Sequence, residues 1–126
     1  MAGLRIVSVD DLHDAAETLA QLFIAMGHRA RAVTDPRKVE AVVEAFRPHI
    51  VFLDIGMPGI DGWELARRLR ARFQPEAMRL VAMTGHGEVA DHIKSRQSGF
   101  DAHIAKPADV QLLESILLQF FPQGAA

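Results

Sequence analysis

The sequence has no cysteine and no tyrosine among its 126 residues. Without cysteine the chain cannot form disulfides, zinc–thiolate sites or cysteine nucleophiles, and it fits a reducing compartment without requiring one. The net charge of -2 does not suggest a general polyanion binder, so we expect no nucleic-acid partner. No apolar run approaches membrane-spanning length, and the run Ile6–Val9 is too short for a signal peptide. We therefore expect a cytoplasmic protein, or the cytoplasmic part of a larger one, without membrane insertion.

Length and patterning indicate one α/β domain over residues 1–126. Hydrophobic residues make up 49% and charged residues 24%, which suits a single globular core. Five strand-like runs alternate with five helix-like stretches, and this alternation predicts right-handed βαβ units around a parallel sheet covered on both faces. The predicted strands lie at 5–9, 29–33, 50–53, 79–83 and 101–105. The fourth predicted helix spans Glu88–Ser98, and Asp109 caps the fifth.

The stretch Ile50–Gly62 is the centre of this pattern. Four apolar residues lead directly into Asp54, and a run rich in glycine and proline follows. The apolar run predicts a strand buried on both faces, with Asp54 at its carboxyl end. Ligands of open α/β sheets bind at this edge. Three other predicted strands also end in polar residues of complementary type: Asp10-Asp11, Thr84 and Lys106.

The polar residues at the strand ends predict a cation site and a phosphoryl site. Three carboxylates packed together repel one another and require a cation. Oxygen ligands favour magnesium, and the lack of nitrogen or sulfur ligands argues against zinc. A phosphoryl group would place its oxygens on the metal, on Lys106, and on the Thr84 hydroxyl with nearby backbone N–H groups. Asp54 would then be the nucleophile that becomes an aspartyl phosphate, with the small residues Gly56, Gly59 and Gly85 permitting close approach.

Four motifs together resemble the response-regulator receiver domain of two-component signalling, and they cover essentially the whole chain in order. They are Asp10-Asp11, Leu53–Gly62, Met83-Thr84-Gly85 and Lys106-Pro107. The segment 84–107 is most similar to receivers attached to hybrid histidine kinases. The resemblance implies a flavodoxin-like sheet of order 2-1-3-4-5 with five helices. It also implies that Asp54 receives a phosphoryl group from the phosphohistidine of a histidine kinase or a histidine phosphotransfer protein.

The same resemblance implies roles for the residues around Asp54. Mg²⁺ would be held by Asp11, Asp54 and the backbone carbonyl of Gly56, with Asp10 acting mostly through water. Thr84 would be the switch hydroxyl, beside Gly85, and Lys106 would bind phosphate ahead of a cis peptide at Pro107. Phosphorylation would alter the face formed by the fourth helix, fifth strand and fifth helix, through which the domain would dock or form a homodimer.

His103 stands where the family often has tyrosine or phenylalanine, so an imidazole that can change its charge is a candidate for the second part of the switch. This departure leaves open a phosphate-independent binding module built on the same fold. A Mg²⁺-dependent phosphohydrolase is less favoured, because such enzymes usually carry a second acid two residues after the nucleophile, where this chain has Gly56. We expect a signalling receiver that catalyses only its own phosphorylation and dephosphorylation.

Two expectations concern the surface. The third predicted helix carries four arginines that we interpret as its solvated face: Arg67, Arg68, Arg70 and Arg72. On the last helix, Leu112, Leu118 and Phe121 are expected to be partly exposed.

Overall fold

The computed structural model describes residues 3–57, 62–85, 99–106 and 108–124. It contains a parallel sheet whose strands are β1 (Arg5–Val9), β2 (Arg29–Val33), β3 (Ile50–Asp54), β4 (Arg79–Thr84) and β5 (Ala102–Ala105). Their order across the sheet is β2-β1-β3-β4-β5, which confirms the predicted topology.

Four α-helices lie in the described ranges: α1 (His13–Ala25), α2 (Val39–Phe46), α3 (Gly62–Arg72) and α4 (Val110–Phe120). The last of them, α4, is the fifth helix of the sequence prediction. The predicted helix over Glu88–Ser98 falls outside the described residues. No helix in the described ranges is long and apolar enough to span a bilayer.

The core has two layers because strand residues point alternately to the two faces of the sheet. Val51 and Leu53 of β3 join one cluster, which packs against α2 and α3. Ile50 and Phe52 join the other, which packs against α1 and α4. Every residue of β3 is buried, as expected for the middle strand of a parallel sheet covered on both sides.

Local sequence signals explain how the helices begin and end. Asp109 caps α4, its carboxylate accepting the N–H of Leu112 at 2.8 Å, as predicted. α2 ends at Phe46, and the next residue, Arg47, adopts a left-handed conformation with φ 51° directly before Pro48. Gly62 begins α3 where a Cβ would lie 2.8 Å from the Cα of Ile55, so this position requires glycine.

The prediction that the arginines of α3 form a solvated face is wrong for Arg70. Its guanidinium donates to the backbone carbonyls of Met78 at 2.6 Å and Gly99 at 2.9 Å. It also pairs with Asp101 at 2.8 Å, and its side chain is only 15% exposed, against 60% for Arg68. Arg70 turns inward because carbonyls at the start of β4 and just before β5 need donors that the sheet does not supply.

Candidate functional site

Polar side chains from three strands meet at the carboxyl edge of the sheet. Asp10 follows β1, Asp54 ends β3 and Lys106 follows β5. The sheet extends just beyond these strand ends, since the Asp10 N–H donates to the Val33 carbonyl at 3.1 Å and the Lys106 N–H to the Thr84 carbonyl at 2.7 Å. Backbone pairing therefore fixes where each side chain starts.

A single ammonium group joins two of the carboxylates. Lys106 Nζ donates to Asp10 Oδ2 at 2.7 Å and to Asp54 Oδ2 at 2.8 Å. The other oxygens accept backbone N–H groups, Asp54 Oδ1 from Gly56 at 2.8 Å and Asp10 Oδ1 from Leu12 at 3.0 Å. Each carboxylate is thus held by one cation and one amide, which fixes its orientation.

The third carboxylate makes this cluster suitable for a divalent cation. Oxygens of Asp10, Asp11 and Asp54 all lie within 4.8 Å of one another. Asp10 and Asp54 are buried, whereas Asp11 is exposed. One ammonium pairs with two of the three carboxylates, so the group carries excess negative charge, and its metal-binding atoms are all oxygen. The donor set fits Mg²⁺, as the sequence predicts.

The position of Lys106 affects its protonation. Burial by itself lowers the pKa of its ammonium, but the hydrogen bonds to Asp10 and Asp54 and their negative charges outweigh that effect and raise the pKa above 10.5. Lys106 therefore stays charged throughout the physiological range and is available to an anion that enters the site.

The remaining predicted residues lie around this centre. Thr84 is buried at the end of β4, and its hydroxyl donates to the Ile104 carbonyl over a long 3.5 Å. Gly85 follows it at the surface, with open space where a Cβ would be. His103 lies partly buried on β5, in register with Ala82. Gly59 and the predicted cis peptide at Pro107 lie outside the described residues.

Sequence reasoning missed two features. The first is the Arg70–Asp101 pair at the other end of β5, which no motif indicates because neither residue stands in a recognisable pattern. The second is a cavity of about 420 Å³ beside Asp10 and Lys106, lined on one side by α1. The Ser8 hydroxyl lines this cavity and is buried with no hydrogen-bond partner among the described residues.

This geometry agrees with comparisons to known proteins. The family model described as the response regulator receiver domain matches residues 6–118. The chain therefore belongs to the response-regulator receiver domain family, the signalling modules of two-component systems, as the motifs predict.

Individual relatives support this assignment. The sporulation initiation phosphotransferase F of Bacillus subtilis is 28% identical over 122 residues, covering 97% of both chains. The transcriptional regulatory protein TcrA of Mycobacterium tuberculosis is 33% identical over 113 residues, and there the chain spans only 44% of the relative's length. A CheY-like receiver domain protein of Methanospirillum hungatei has a similar solved structure, with a TM-score of 0.84, 25% identity and 97% coverage of both chains. The family thus includes relatives of this size and longer ones.

Proposed function

We propose that this chain is a phosphorylation-controlled receiver in which Asp54 accepts a phosphoryl group from the phosphohistidine of a histidine kinase or a histidine phosphotransfer protein. The observation that carries the proposal is the sharing of the Lys106 ammonium by Asp10 and Asp54, with Asp11 in reach of both. The Bacillus subtilis relative is named a phosphotransferase, which is consistent with the proposal. Residues 1–126 would act as one receiver domain.

The transfer needs an ionised nucleophile and a cation for the incoming charge. In the proposed step, an Asp54 carboxylate oxygen forms a bond to phosphorus, the phosphorus–nitrogen bond breaks, and its electron pair stays on the imidazole that leaves. The Gly56 N–H and the Lys106 ammonium, which both donate to the Asp54 carboxylate, orient it. Lys106 then exchanges its contact with Asp54 for a contact with a phosphoryl oxygen, which stabilises the charge that the transfer brings.

Mg²⁺ fits the acidic end of this site. Asp11, Asp54 and the backbone carbonyl of Gly56 would hold the ion, and Asp10 would contribute mostly through bound water. The ion would supply positive charge to the phosphoryl oxygens. Without it, Lys106 is the one cation within residues 3–57, 62–85, 99–106 and 108–124 that pairs with these carboxylates and offsets their repulsion.

The response to phosphorylation would run through β4 and β5. The Thr84 hydroxyl has a long bond to the Ile104 carbonyl, so a phosphoryl oxygen is a better acceptor for it. Movement of Thr84 would repack the chain beside His103 and alter the face formed by the predicted helix 88–98, β5 and α4, shifting a two-state equilibrium. Leu112 and Leu118 on α4 are 38% and 47% exposed and could serve docking or dimer formation there. Attachment to a hybrid histidine kinase stays a prediction.

The direct test is intact mass after incubation with acetyl phosphate, with Mg²⁺ or with EDTA. We expect one phosphoryl adduct in the wild type with Mg²⁺, and none with EDTA or in Asp54→Asn. Asp14→Asn, which removes an exposed acid of α1, is the matched control and should keep the adduct.

An adduct that persists in Asp54→Asn would overturn the assignment of the nucleophile. Absence of both the adduct and Mg²⁺-dependent beryllofluoride binding would favour a phosphate-independent binding module. Repeated turnover of an external phosphomonoester would favour a phosphohydrolase.

A further inference from the structure

Three arginines gather at the opposite edge of the sheet from Asp54. Arg5 opens β1 and Arg29 opens β2, and the two are register partners. Arg31 is two residues further along β2, so all three side chains emerge on the same face. Since β1 rises ~3.3 Å per residue, its five residues separate this group from the acidic edge by about 17 Å.

All three guanidinium groups are held at Phe46, the last residue of α2. Arg5 Nε donates to the backbone carbonyls of Phe46 at 3.2 Å and Arg47 at 2.9 Å. The guanidinium carbons of Arg29 and Arg31 lie 5.6 and 4.9 Å from the centre of the Phe46 ring. We call Arg5, Arg29, Arg31 and Phe46 the arginine pocket.

The positive charge of the arginine pocket is not compensated by neighbouring acids. In the described part of the chain, Arg5, Arg29 and Arg31 form no ion pair with a carboxylate. The two acids of α2 form ion pairs with other arginines. Glu40 pairs with Arg68 and Arg72. Glu44 pairs with Arg47 and Arg72. Like charges directly opposite one another on neighbouring strands are destabilising. An uncompensated cluster of this kind in a chain of net charge -2 indicates an anionic partner.

The surface between the guanidinium groups is concave. A cavity of about 400 Å³ is lined by the three arginines together with Val42, Ala45 and Phe46. That volume is in the range of small-molecule sites. Basic residues on an edge strand such as β2 also prevent that strand from pairing with another chain. That role explains neither the cavity nor the position of Arg5, which lies on the inner strand β1.

We propose that the arginine pocket binds a small anion that carries two or more phosphate groups. A guanidinium group matches phosphate oxygens with two parallel hydrogen bonds, and three such groups around one cavity can engage more than one phosphate. The Phe46 ring is already packed against two guanidinium groups, so recognition depends on the phosphates and not on stacking of a base. Inorganic polyphosphate and the phosphate chain of a nucleotide share this chemistry.

The test is calorimetric titration of the wild-type chain with pyrophosphate at low ionic strength in EDTA. EDTA keeps phosphates from entering the acidic site through a bound metal. The test variant is Arg29→Gln with Arg31→Gln. The matched control is Arg37→Gln with Lys38→Gln, which removes two positive charges from the short helix after β2. Arg31→Gln alone is a second variant in case the double change disturbs folding.

We expect the wild type to bind pyrophosphate saturably. The affinity should be at least tenfold weaker in Arg29→Gln/Arg31→Gln and intermediate in Arg31→Gln. In the control it should stay within twofold of the wild-type affinity. Equal affinity for tripolyphosphate and ATP would mean that the pocket recognises only the phosphate groups. Tighter binding of ATP would identify a nucleotide as the natural ligand. The proposal is overturned if wild type fails to bind pyrophosphate at 10 mM (about the weakest affinity worth calling a site), or if both double variants weaken binding equally. Because the acidic edge is untouched, either outcome leaves the phosphorylation test unaffected.

Discussion

Two partly buried ionic clusters flank β5, and they are built in opposite ways. Before the strand, Asp101 accepts hydrogen bonds from Arg70 at 2.8 Å, Arg79 at 3.4 Å and the Leu80 N–H at 2.8 Å. After it, one ammonium, that of Lys106, serves two carboxylates, with a third beside them. We call these the Asp101 cluster and the Lys106 cluster.

The difference separates a structural cluster from the cluster that we propose to be reactive. In the Asp101 cluster a single carboxylate is surrounded by donors, and the remaining hydrogens of Arg70 are used by backbone carbonyls. Both oxygens of the Asp101 carboxylate are therefore engaged within the protein. In the Lys106 cluster the acids outnumber the cation, so a bound metal ion would match the excess negative charge and leave the Lys106 ammonium available to a phosphoryl oxygen. Burial of an ion pair therefore does not by itself indicate function, whereas an excess of carboxylates indicates a site for a cation.

Removing Arg70 should give the largest loss of stability. Arg70→Met leaves the Asp101 carboxylate with the Leu80 N–H and one long contact to Arg79, and it removes the donor from the carbonyls of Met78 and Gly99. We expect the free energy of unfolding in urea to fall by about 3 kcal/mol, the usual cost of breaking a mostly buried pair. Arg68→Met on the same helix removes an exposed arginine and should cost no more than about 0.5 kcal/mol. Equal losses in the two variants would remove the distinction between buried and exposed arginines of α3.

Removing Lys106 should have a smaller effect that depends on the metal. In EDTA, Lys106→Met leaves Asp10 and Asp54 repelling each other, and we expect a loss of about 1–2 kcal/mol. Mg²⁺ should reduce the difference in the free energy of unfolding between Lys106→Met and the wild type, because it replaces the lost positive charge. For the wild type itself, Mg²⁺ at ten times its dissociation constant should add about 1.4 kcal/mol. Asp11→Asn should lose most of that gain, and a gain unchanged by Asp11→Asn would argue against the proposed ligands.

Changes in pH should affect a different part of the molecule from the Lys106 cluster. Because the pKa of Lys106 is raised, its contribution to stability is present below about pH 10.5 and is lost only as pH rises through its folded-state pKa.

At the opposite edge of the sheet, His28 accepts the N–H of Leu4 through Nδ1 at 3.0 Å, and His49 accepts the N–H of Arg5 through Nδ1 at 2.9 Å. Protonation removes both acceptors.

Burial lowers the pKa of both histidines below 6.5. The positive charge of Arg5 lowers the pKa of His49 further, while the hydrogen bond between His49 and the Arg5 backbone opposes this effect. Their contribution is therefore complete above pH 6.5 and is lost as pH falls through the lower folded-state pKa. We expect the urea midpoint to fall between pH 7 and pH 5, and to fall less in His28→Gln/His49→Gln. His13→Gln, at the exposed start of α1, should follow the wild type. An identical fall in all three proteins would exclude these histidines as the cause.

Ser8 should give the smallest effect, and of the opposite sign. Its hydroxyl is buried beside the Lys106 cluster and has no hydrogen-bond partner in the part of the chain that the structure describes, which costs stability. Ser8→Ala should raise the free energy of unfolding by up to about 1 kcal/mol. A loss of that size on thermal or urea unfolding would instead show that the hydroxyl makes a stabilising contact in solution.

Much of this organisation could be predicted because it depends on local patterns. Apolar runs ending in Asp54 and Thr84 define strands and their polar ends, and the strand–helix alternation limits the topology to a few choices. The Arg70–Asp101 pair could not be predicted in this way. Its two residues lie 31 positions apart in the sequence. The pattern of apolar and polar residues along the helix does not distinguish Arg70 from its exposed neighbours. The arginine pocket was missed because Arg5, Arg29 and Arg31 are dispersed in sequence and meet only through the register of β1 and β2.

The central claim is that the charge imbalance of the Lys106 cluster makes Asp54 the phosphoacceptor. The most direct measurement is reduction of the acetyl phosphate-treated chain with borohydride, which converts an aspartyl phosphate to homoserine, followed by peptide sequencing in a mass spectrometer. We expect homoserine at position 54, formed with Mg²⁺ and absent with EDTA. Homoserine at position 10 or 11 instead, or equally at Asp101, would contradict the account.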